Sequence, residues 1–328
     1  MALHKTARLL AAATLVFLLG CSALAGPADQ PPAASPAALP LIEASGICVR
    51  GDGRVAIIGG DEAPDKLWGV SLDDFSVRWE LPFPPGTPPI DDIEALAPWR
   101  DSQVFVMCSQ TRTKTRGKAK PERNRLALVT LTPDARRIPS ARVFENLRDR
   151  LVAHLSAHAG DVLENPAVLA DGTPVTGGLN VEGLAAWKGQ LLVGLRSPTA
   201  KGGGAIVAAI RNPEKLFPDA WPPATPDFGK PMVVRIAPGE GIRDMAAAGG
   251  DVLLLLGASG EFTGPDARVV RWNPETGEVR PVNVKGLGDV GKPEGIALDP
   301  QGRLLVVQDF RPPVTKQVIF RLEMESRP

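Results

Sequence analysis

Apolar and polar positions along this chain alternate between short strand-like runs and turn-rich breaks, and one unit of the pattern returns five times. In each unit an acidic residue is followed by small residues and an aliphatic, then by a polar turn leading into an apolar run. The units are IEASGICV with GRVAIIGGDE, IEALAPW with SQVFVMCSQ, VEGLAAW with GQLLVGLRS, IRDMAAA with GDVLLLLGAS, and PEGIALD with GRLLVVQD. Their acids are Glu43, Glu94, Glu182, Asp244 and Glu294. Three of the four gaps between these acids are about 50 to 60 residues, and the gap from Glu94 to Glu182 is longer by one insertion. A period of that length belongs to radial β-repeat architectures.

The fourth repeat shows the content of one unit. MAAA reads as a short first strand, DVLLLLGA as a second, ARVVRWN as a third and EVRPVNV as a fourth, separated by GG, EFTGPD and NPETG. Four short strands make one blade. The second strands are continuous apolar runs, as expected when both faces are covered, whereas the third and fourth carry Arg, Glu and Asn toward a wet rim. The pattern predicts an all-β fold, a β-propeller of five blades, over residues 41–328. Its last repeat stops after the strand VIFRLE, so the segment around Leu41 is expected to supply the missing fourth strand and close the ring. The long gap holds LALVTL and ARVF as outer strands, then a helical insertion at about 145–178. There Phe144, Leu147, Leu151 and Leu155 form one apolar stripe at helical spacing. Counting the gap as two blades would give six, the arrangement of calcium-dependent lactonase and gluconolactonase propellers, and this stands as the alternative.

The N-terminus changes the picture from fold to address. His4, Lys5 and Arg8 precede an apolar run from Leu9 to Leu19 that is too short to span a bilayer, the layout of a secretory signal over residues 1–20. Leu18, Leu19 and Gly20 before Cys21 resemble a bacterial lipobox. That resemblance implies cleavage before Cys21 and a lipid on its thiol, which would tether the mature chain to a membrane. Ser22 stands where an aspartate would be linked with inner-membrane retention, so the expected location is the outer membrane, facing the periplasm. Residues 21–40 are almost all Ala, Pro, Gly and Ser, a composition suited to a mobile tether. The 37 Lys and Arg balance 37 Asp and Glu, and nothing in that balance points to nucleic acid. Cys48 and Cys108 lie inside apolar strand patterns and read as buried thiols, with a disulfide as the alternative in an oxidising compartment.

Candidate chemistry follows from topology. If the first strand of a blade leaves the channel mouth and the second returns to it, the five repeated acids converge there. Asp61, Glu62, Arg196, Ser197, Glu261, Asp309 and Arg311 join them from the second-strand ends. Crowded carboxylates must protonate, pair with arginine or bind a cation. Oxygen ligands without a His or Cys set favour calcium over zinc, with Glu43, Glu94, Glu182, Asp244 and Glu294 as its candidate ligands. The plain alternative is that these acids cap strand ends or pair with Arg196, Arg243 and Arg311. His154 and His158 stand four apart on one face of the inserted helix and are candidates for general acid–base work if that helix lids the mouth. The stretch TRTKTRGKAKPERNR brings Arg112, Lys114, Arg116, Lys118, Lys120, Arg123 and Arg125 to the same side. It is a candidate anion-binding loop for a small molecule or an envelope component, or else a solvated loop.

GLNVEGLAAWKGQLLVGLRSP, residues 178–198, and the basic loop with the following RNRLALVTL resemble the bacterial family known as domain of unknown function 3616, over essentially all of residues 41–328. The family's turn after the second strand of blade two is often Ser-His-Ser-like, whereas this chain has Cys108, Ser109, Gln110 and Thr111, so no histidine role transfers. The resemblance implies a propeller and no assigned reaction. More distantly, the repeated acid is similar to that of the calcium-binding propellers of apyrase-type nucleotidases and phytase-like esterases. Two functions remain open at this point. One is a membrane-anchored propeller that binds a ligand or partner through an acidic mouth. The other is a calcium-dependent hydrolase of phosphate esters, esters or lactones, in which Arg196 or Arg311 would steady an oxyanion. The chain has no GxSxG or HExxH motif, which favours binding.

Overall fold

The computed structural model describes residues 43–61, 63–112, 118, 120–158, 178–218, 222–259, 266–309 and 319–325. Five antiparallel sheets are laid down in chain order, each from an innermost strand outward. Blade one contains β1 (Ala44–Val49), β2 (Val55–Gly60), β3 (Lys66–Ser71) and β4 (Val77–Pro82). Blade two contains β5 (Ile93–Trp99), β6 (Gln103–Cys108), β7 (Leu126–Thr130) and β8 (Ser140–Phe144), and is followed by the helix α1 (Leu147–Ala157). Blade three contains β9 (Asn180–Trp187), β10 (Gln190–Ser197), β11 (Ala205–Ile210) and β12 (Met232–Val234). Blade four contains β13 (Glu240–Ala248), β14 (Asp251–Ala258), β15 (Arg268–Trp272) and β16 (Val279–Val284). Blade five contains β17 (Pro293–Leu298), β18 (Leu304–Gln308) and β19 (Ile319–Leu322). The fold is a five-bladed β-propeller, not a six-bladed one.

The innermost strands form the ring: β1 packs on β5, β5 on β9, β9 on β13, β13 on β17 and β17 on β1. Burial follows the predicted gradient. The second strands β2 and β14 are buried almost end to end, whereas the outer strands β4 and β16 alternate between half-buried and exposed. β13 is longer than the expected MAAA strand because pairing with β14 runs back to Glu240.

Small residues on the inner strands set how closely blades approach. A Cβ on Gly46 would lie 2.9 Å from the Ala95 Cα of the next blade, and one on Gly295 would run into the Ser45 carbonyl across the closing interface. All five interfaces are also tied by a polar side chain on one blade reaching the backbone or a side chain of the next, the one between blades four and five through Asp244 and Arg243. The indoles of Trp79, Trp99 and Trp187 donate to the Ala135 carbonyl, to Glu214 Oε1 (2.8 Å) and to the Gly250 carbonyl (3.1 Å). Arg321 on β19 donates to the Leu72 carbonyl and lies 4.8 Å from the Phe75 ring centroid, joining blade five to blade one.

One expectation lies outside the described residues and one is altered. The segment around Leu41 lies outside the described residues. Among those described, blade five has three strands, and the chain after β19 turns to the outer edge of blade four, where β20 (Met324–Glu325) pairs with β16. The helix is no simple surface appendage. Leu147, Leu151 and Leu155 are fully buried between blades two and three, in one cluster with Phe105, Val181 and Ile206, so α1 is a wedge. Residues 159–177 of the insertion lie outside the described residues. Cys48 and Cys108 are both free and buried, and burial pushes the Cys108 thiol up to about 12.

The close approach at the closing interface gives a test. Gly295→Val forces branched carbons against the Ser45 backbone and should cost at least about 3 kcal/mol in urea unfolding, because overpacking against backbone cannot relax by a rotamer change.

Candidate functional site

Each inner strand carries one β-bulge near its start, revealed by a skipped residue in its pairing with the second strand. The skips fall between Ala44 and Gly46, Ile93 and Ala95, Val181 and Gly183, Ile242 and Asp244, and Pro293 and Gly295, and in blade three the second strand also skips Arg196, between Leu195 and Ser197. Pairing resumes at Gly46 with Gly59, Ala95 with Met107, Gly183 with Gly194, Asp244 with Leu255 and Gly295 with Val307. The equivalent bulge positions are therefore Ser45, Glu94, Glu182, Arg243 and Glu294. A bulge leaves one residue out of the ladder and re-aims its side chain, and five bulges at one end of five inner strands build one polar ring.

This ring differs from the one that the acids alone suggested. Glu94, Glu182 and Glu294 occupy it. Glu43 stands two residues ahead of the bulge, like Asp92 and Lys292, and its carbonyl accepts from the Asp61 N–H at 3.3 Å. Asp244 stands one residue after it, where the other blades have Gly or Ala. Its buried carboxylate accepts from the backbone N–H of Met245 and of Ile296, both at 2.7 Å, and thereby ties blade four to blade five. Burial holds the Asp244 carboxyl well above its ordinary range, although the N–H groups of Ile296, Met245 and Leu184 oppose the shift. Arg243 was missed as a ring residue because the repeats were aligned on the acid. Aligning them on the small residue that follows would have placed Ser45 and Arg243 in the column.

The ring acids are unequally compensated. Glu182 Oε1 accepts from Arg196 Nη1 at 2.6 Å and from Asn180 Nδ2 at 3.0 Å. Arg243 donates to Glu294 and has its Nη1 4.0 Å from Glu182 Oε2. Although burial opposes it, the charges of Glu294 and Glu182 raise the Arg243 guanidinium above its ordinary value, so it stays charged. Lys292 lies 3.3 Å from Glu294 and also pairs with Asp309. Glu94 has no ion pair or hydrogen bond among the described residues. Burial, then the charges of Glu182, Asp92, Glu294 and Asp61, hold its carboxyl well above the usual carboxylate range. With side chains in these positions, no group of three or more His, Cys, Asp or Glu among the described residues is arranged to hold a metal ion. Calcium needs about six to eight oxygens, and here Arg243 occupies the place between Glu182 and Glu294 that a cation would take. The donor set as it stands does not fit calcium.

The basic loop is partly consumed by structure. Lys120 pairs with Asp91 at 2.5 Å, Arg123 with Asp91 at 3.1 Å and Asp92 at 3.0 Å, and Arg125 with Glu145 at 2.7 Å. Asp92 also accepts from Ser109 Oγ and from Thr111 Oγ1 (3.2 Å), so this acid anchors both ends of the loop. Arg112 and Lys118 are described, whereas Lys114 and Arg116 lie outside the described residues, as do Glu62, Glu261 and Arg311. Ser197 is spent on the Gly178 carbonyl at 2.6 Å, and Arg196 Nε donates to the Ala258 carbonyl at 3.1 Å.

The histidines lie away from the mouth. His154 stacks on Phe228 with ring centroids 4.7 Å apart, and Phe228 bridges Ile210, which pairs with Leu191 at the opposite end of blade three. His158 Nδ1 is 2.9 Å from the His154 carbonyl, and burial followed by the nearby His158 charge lowers the His154 pKa. The helix runs down the blade interface and does not lid the channel, so these imidazoles have no contact with the ring.

A family model described as "Protein of unknown function (DUF3616)" matches residues 118–285, from the end of the basic loop through blade four. No curated protein matches the chain. Among solved structures, the chain is similar to the glutaminyl cyclase of Myxococcus xanthus at 12% identity and a TM-score of 0.46, covering 87% of this chain and 91% of that one. It is similar to a glucose dehydrogenase at 15% identity and a TM-score of 0.46, covering 88% and 97%. These likenesses carry no chemistry to this chain.

Two substitutions separate the roles of the buried acids. Asp244→Ala leaves buried N–H groups without an acceptor and should lose roughly 3 kcal/mol of stability or more, at about 1–3 kcal/mol for each group. Glu94→Gln should do the reverse. Because the folded state raises the Glu94 pKa, it binds more protons than the unfolded state between the two values, and stability falls as pH rises through that window. Glu94→Gln removes this cost, so its melting temperature should match the wild type only below the ordinary glutamate value of 4.5 and exceed it increasingly as pH rises above that.

Proposed function

We propose that the chain, which belongs to the DUF3616 family of proteins of unknown function, is a lipid-anchored binding propeller whose polar ring receives a small ligand or an exposed group of an envelope component. The observation that carries this reading is the bulge ring itself. Five strands direct Ser45, three glutamates and Arg243 to one end of the channel, with one glutamate left uncompensated. Structural repeats need bulges only to keep register, and a mixed-charge ring with an unbalanced member is suited to recognition.

Catalysis finds less support. The histidines are remote from the ring, and Ser109 Oγ is engaged by Asp92 and Thr111 in a loop anchor. A calcium-dependent hydrolase would need Arg243 to leave the space between Glu182 and Glu294.

The anchoring half of the proposal rests on the sequence LLGC and the tether that follows it. Cys21 would carry the lipid, and the outer membrane facing the periplasm would be its address. Fractionation tests it: Cys21→Ser should move the protein from the membrane pellet to the soluble fraction without lowering its melting temperature, and retention in the pellet would sink the anchor. The binding half is tested by thermal shift of wild type and Glu182→Gln against a panel of amines, sugars, phosphate esters, lactones and calcium. A ligand that stabilises only the wild type supports recognition at the ring, whereas a panel with no ring-dependent shift argues for a purely structural ring.

A further inference from the structure

We propose that the ring is a subsite for a primary ammonium group, seated by Glu94, Glu182 and Asn180. This names the ligand chemistry of the binding site proposed above and rests on that reading. Among the described residues, three glutamates, Glu94, Glu182 and Glu294, face two guanidinium groups, Arg196 and Arg243, which leaves this set short of one positive charge. Lys292 does not make up the difference, because it is shared with Asp309. The deficit is local to blades two and three. Glu94 is the glutamate without an ion pair among the described residues, and Glu182 is the charge that acts on it most strongly.

A second observation indicates what would fill the place. Two buried oxygens, Glu182 Oε2 and Asn180 Oδ1, receive no hydrogen bond among the described residues, and the Arg243 guanidinium lies 4.0 Å from the Oε2 of Glu182, a residue only 4% exposed. Buried acceptors call for donors. An ammonium head offers three donors and no acceptor on one positive charge, which matches two lone acceptors plus a carboxylate. An anion would meet Glu94, Glu182, Asp92 and Asp61 together, and calcium would need a larger set of oxygens than this side of the ring presents.

The chemistry carries a linked proton. Without a ligand, the charge deficit is met by holding a proton on Glu94, whose surroundings are the acids Glu182, Asp92, Glu294 and Asp61 and the cation Arg243. An arriving ammonium displaces that proton, so the carboxylate forms as the salt bridge forms and binding strengthens as pH rises. The ammonium could belong to a free small amine or to a lysine side chain on a partner, and the two use the same contacts.

Isothermal titration calorimetry of the full chain in detergent tests this, using cadaverine, a capped lysine (N-acetyl-lysine methylamide), tetramethylammonium and calcium chloride as probes. Each titration is run in two buffers of different ionisation heat. Binding of cadaverine or capped lysine with release of roughly one proton, at least about tenfold weaker in Glu94→Gln, supports the proposal, and the tighter of the two probes identifies the source. Asn180→Ala, which removes an acceptor but no charge, should weaken binding without changing the proton count. Lack of binding by both primary amines, equal binding by tetramethylammonium, or unchanged affinity in Glu94→Gln overturns it. If calcium or an uncharged member of the panel binds in a ring-dependent way instead, the ammonium assignment fails while the binding function stands. If no probe binds in a ring-dependent way, both fail.

Discussion

The close approach of five inner strands around one axis is the constraint on which the other features depend. Two interfaces are backbone-to-backbone contacts, with Gly46 against Ala95 and Gly295 against Ser45, and a third sets Gly183 against the Ile242 and Met245 side chains, so these positions after the bulge admit little beyond hydrogen or methyl. Apolar second strands then fill the wedge between blades, and α1 fills the place where blades two and three diverge, burying Leu147, Leu151 and Leu155. Blade four breaks the small-residue rule with Asp244. It is tolerated because its oxygens are spent on backbone N–H groups of its own blade and the next, converting a steric contact into an inter-blade hydrogen bond. A carboxyl group in that place is a structural element.

The same constraint makes the ring. Strands that approach so closely cannot direct long side chains into the axis from regular ladder positions, and the bulge provides the exception. One residue per strand is released from pairing and turned to the mouth. The side chains placed there share a confined, low-dielectric space, which is why their charges are interdependent. Arg243 is the member that defines the balance. It neutralises Glu294 and partly Glu182 from within, and the remaining imbalance is left to Glu94.

The architecture was legible because blade-forming strands leave a strong signature in sequence. Apolar runs such as VLLLLGA, turn pairs and a recurring period sufficed for five blades, and Leu147, Leu151 and Leu155 of the expected stripe lie on the helix, whereas Phe144 ends β8. The site was legible only in part. Glu94, Glu182 and Glu294 were recognised as ring members, but Glu43 and Asp244 were placed with them because an acid was taken as the mark of the position. The bulge depends on register, a property of two strands, and a pattern read along one strand does not contain it. The same limit applies to the histidines: their common helix face was readable at a spacing of four, whereas the direction in which the helix runs between blades depends on Phe228, far along the chain. The basic loop was read as a unit, although Lys120, Arg123 and Arg125 are bound to acids in neighbouring turns.

Repetition by itself argues against a function for the ring, since duplicating one blade copies its acid whether or not that acid does anything. The departures from repetition are therefore more informative than the repeats. A purely structural ring has no reason to be electrically uneven, because each blade faces the same packing problem. Here one blade supplies serine and another arginine, and among the described residues Glu94 has no ion pair while Glu182 Oε2 and Asn180 Oδ1 on the next blade accept no hydrogen bond. Holding such a carboxyl in a sheltered place costs stability that a glutamine would not. That the cost falls at the channel mouth and on one side of the ring is what favours the proposed ligand site over a scaffold.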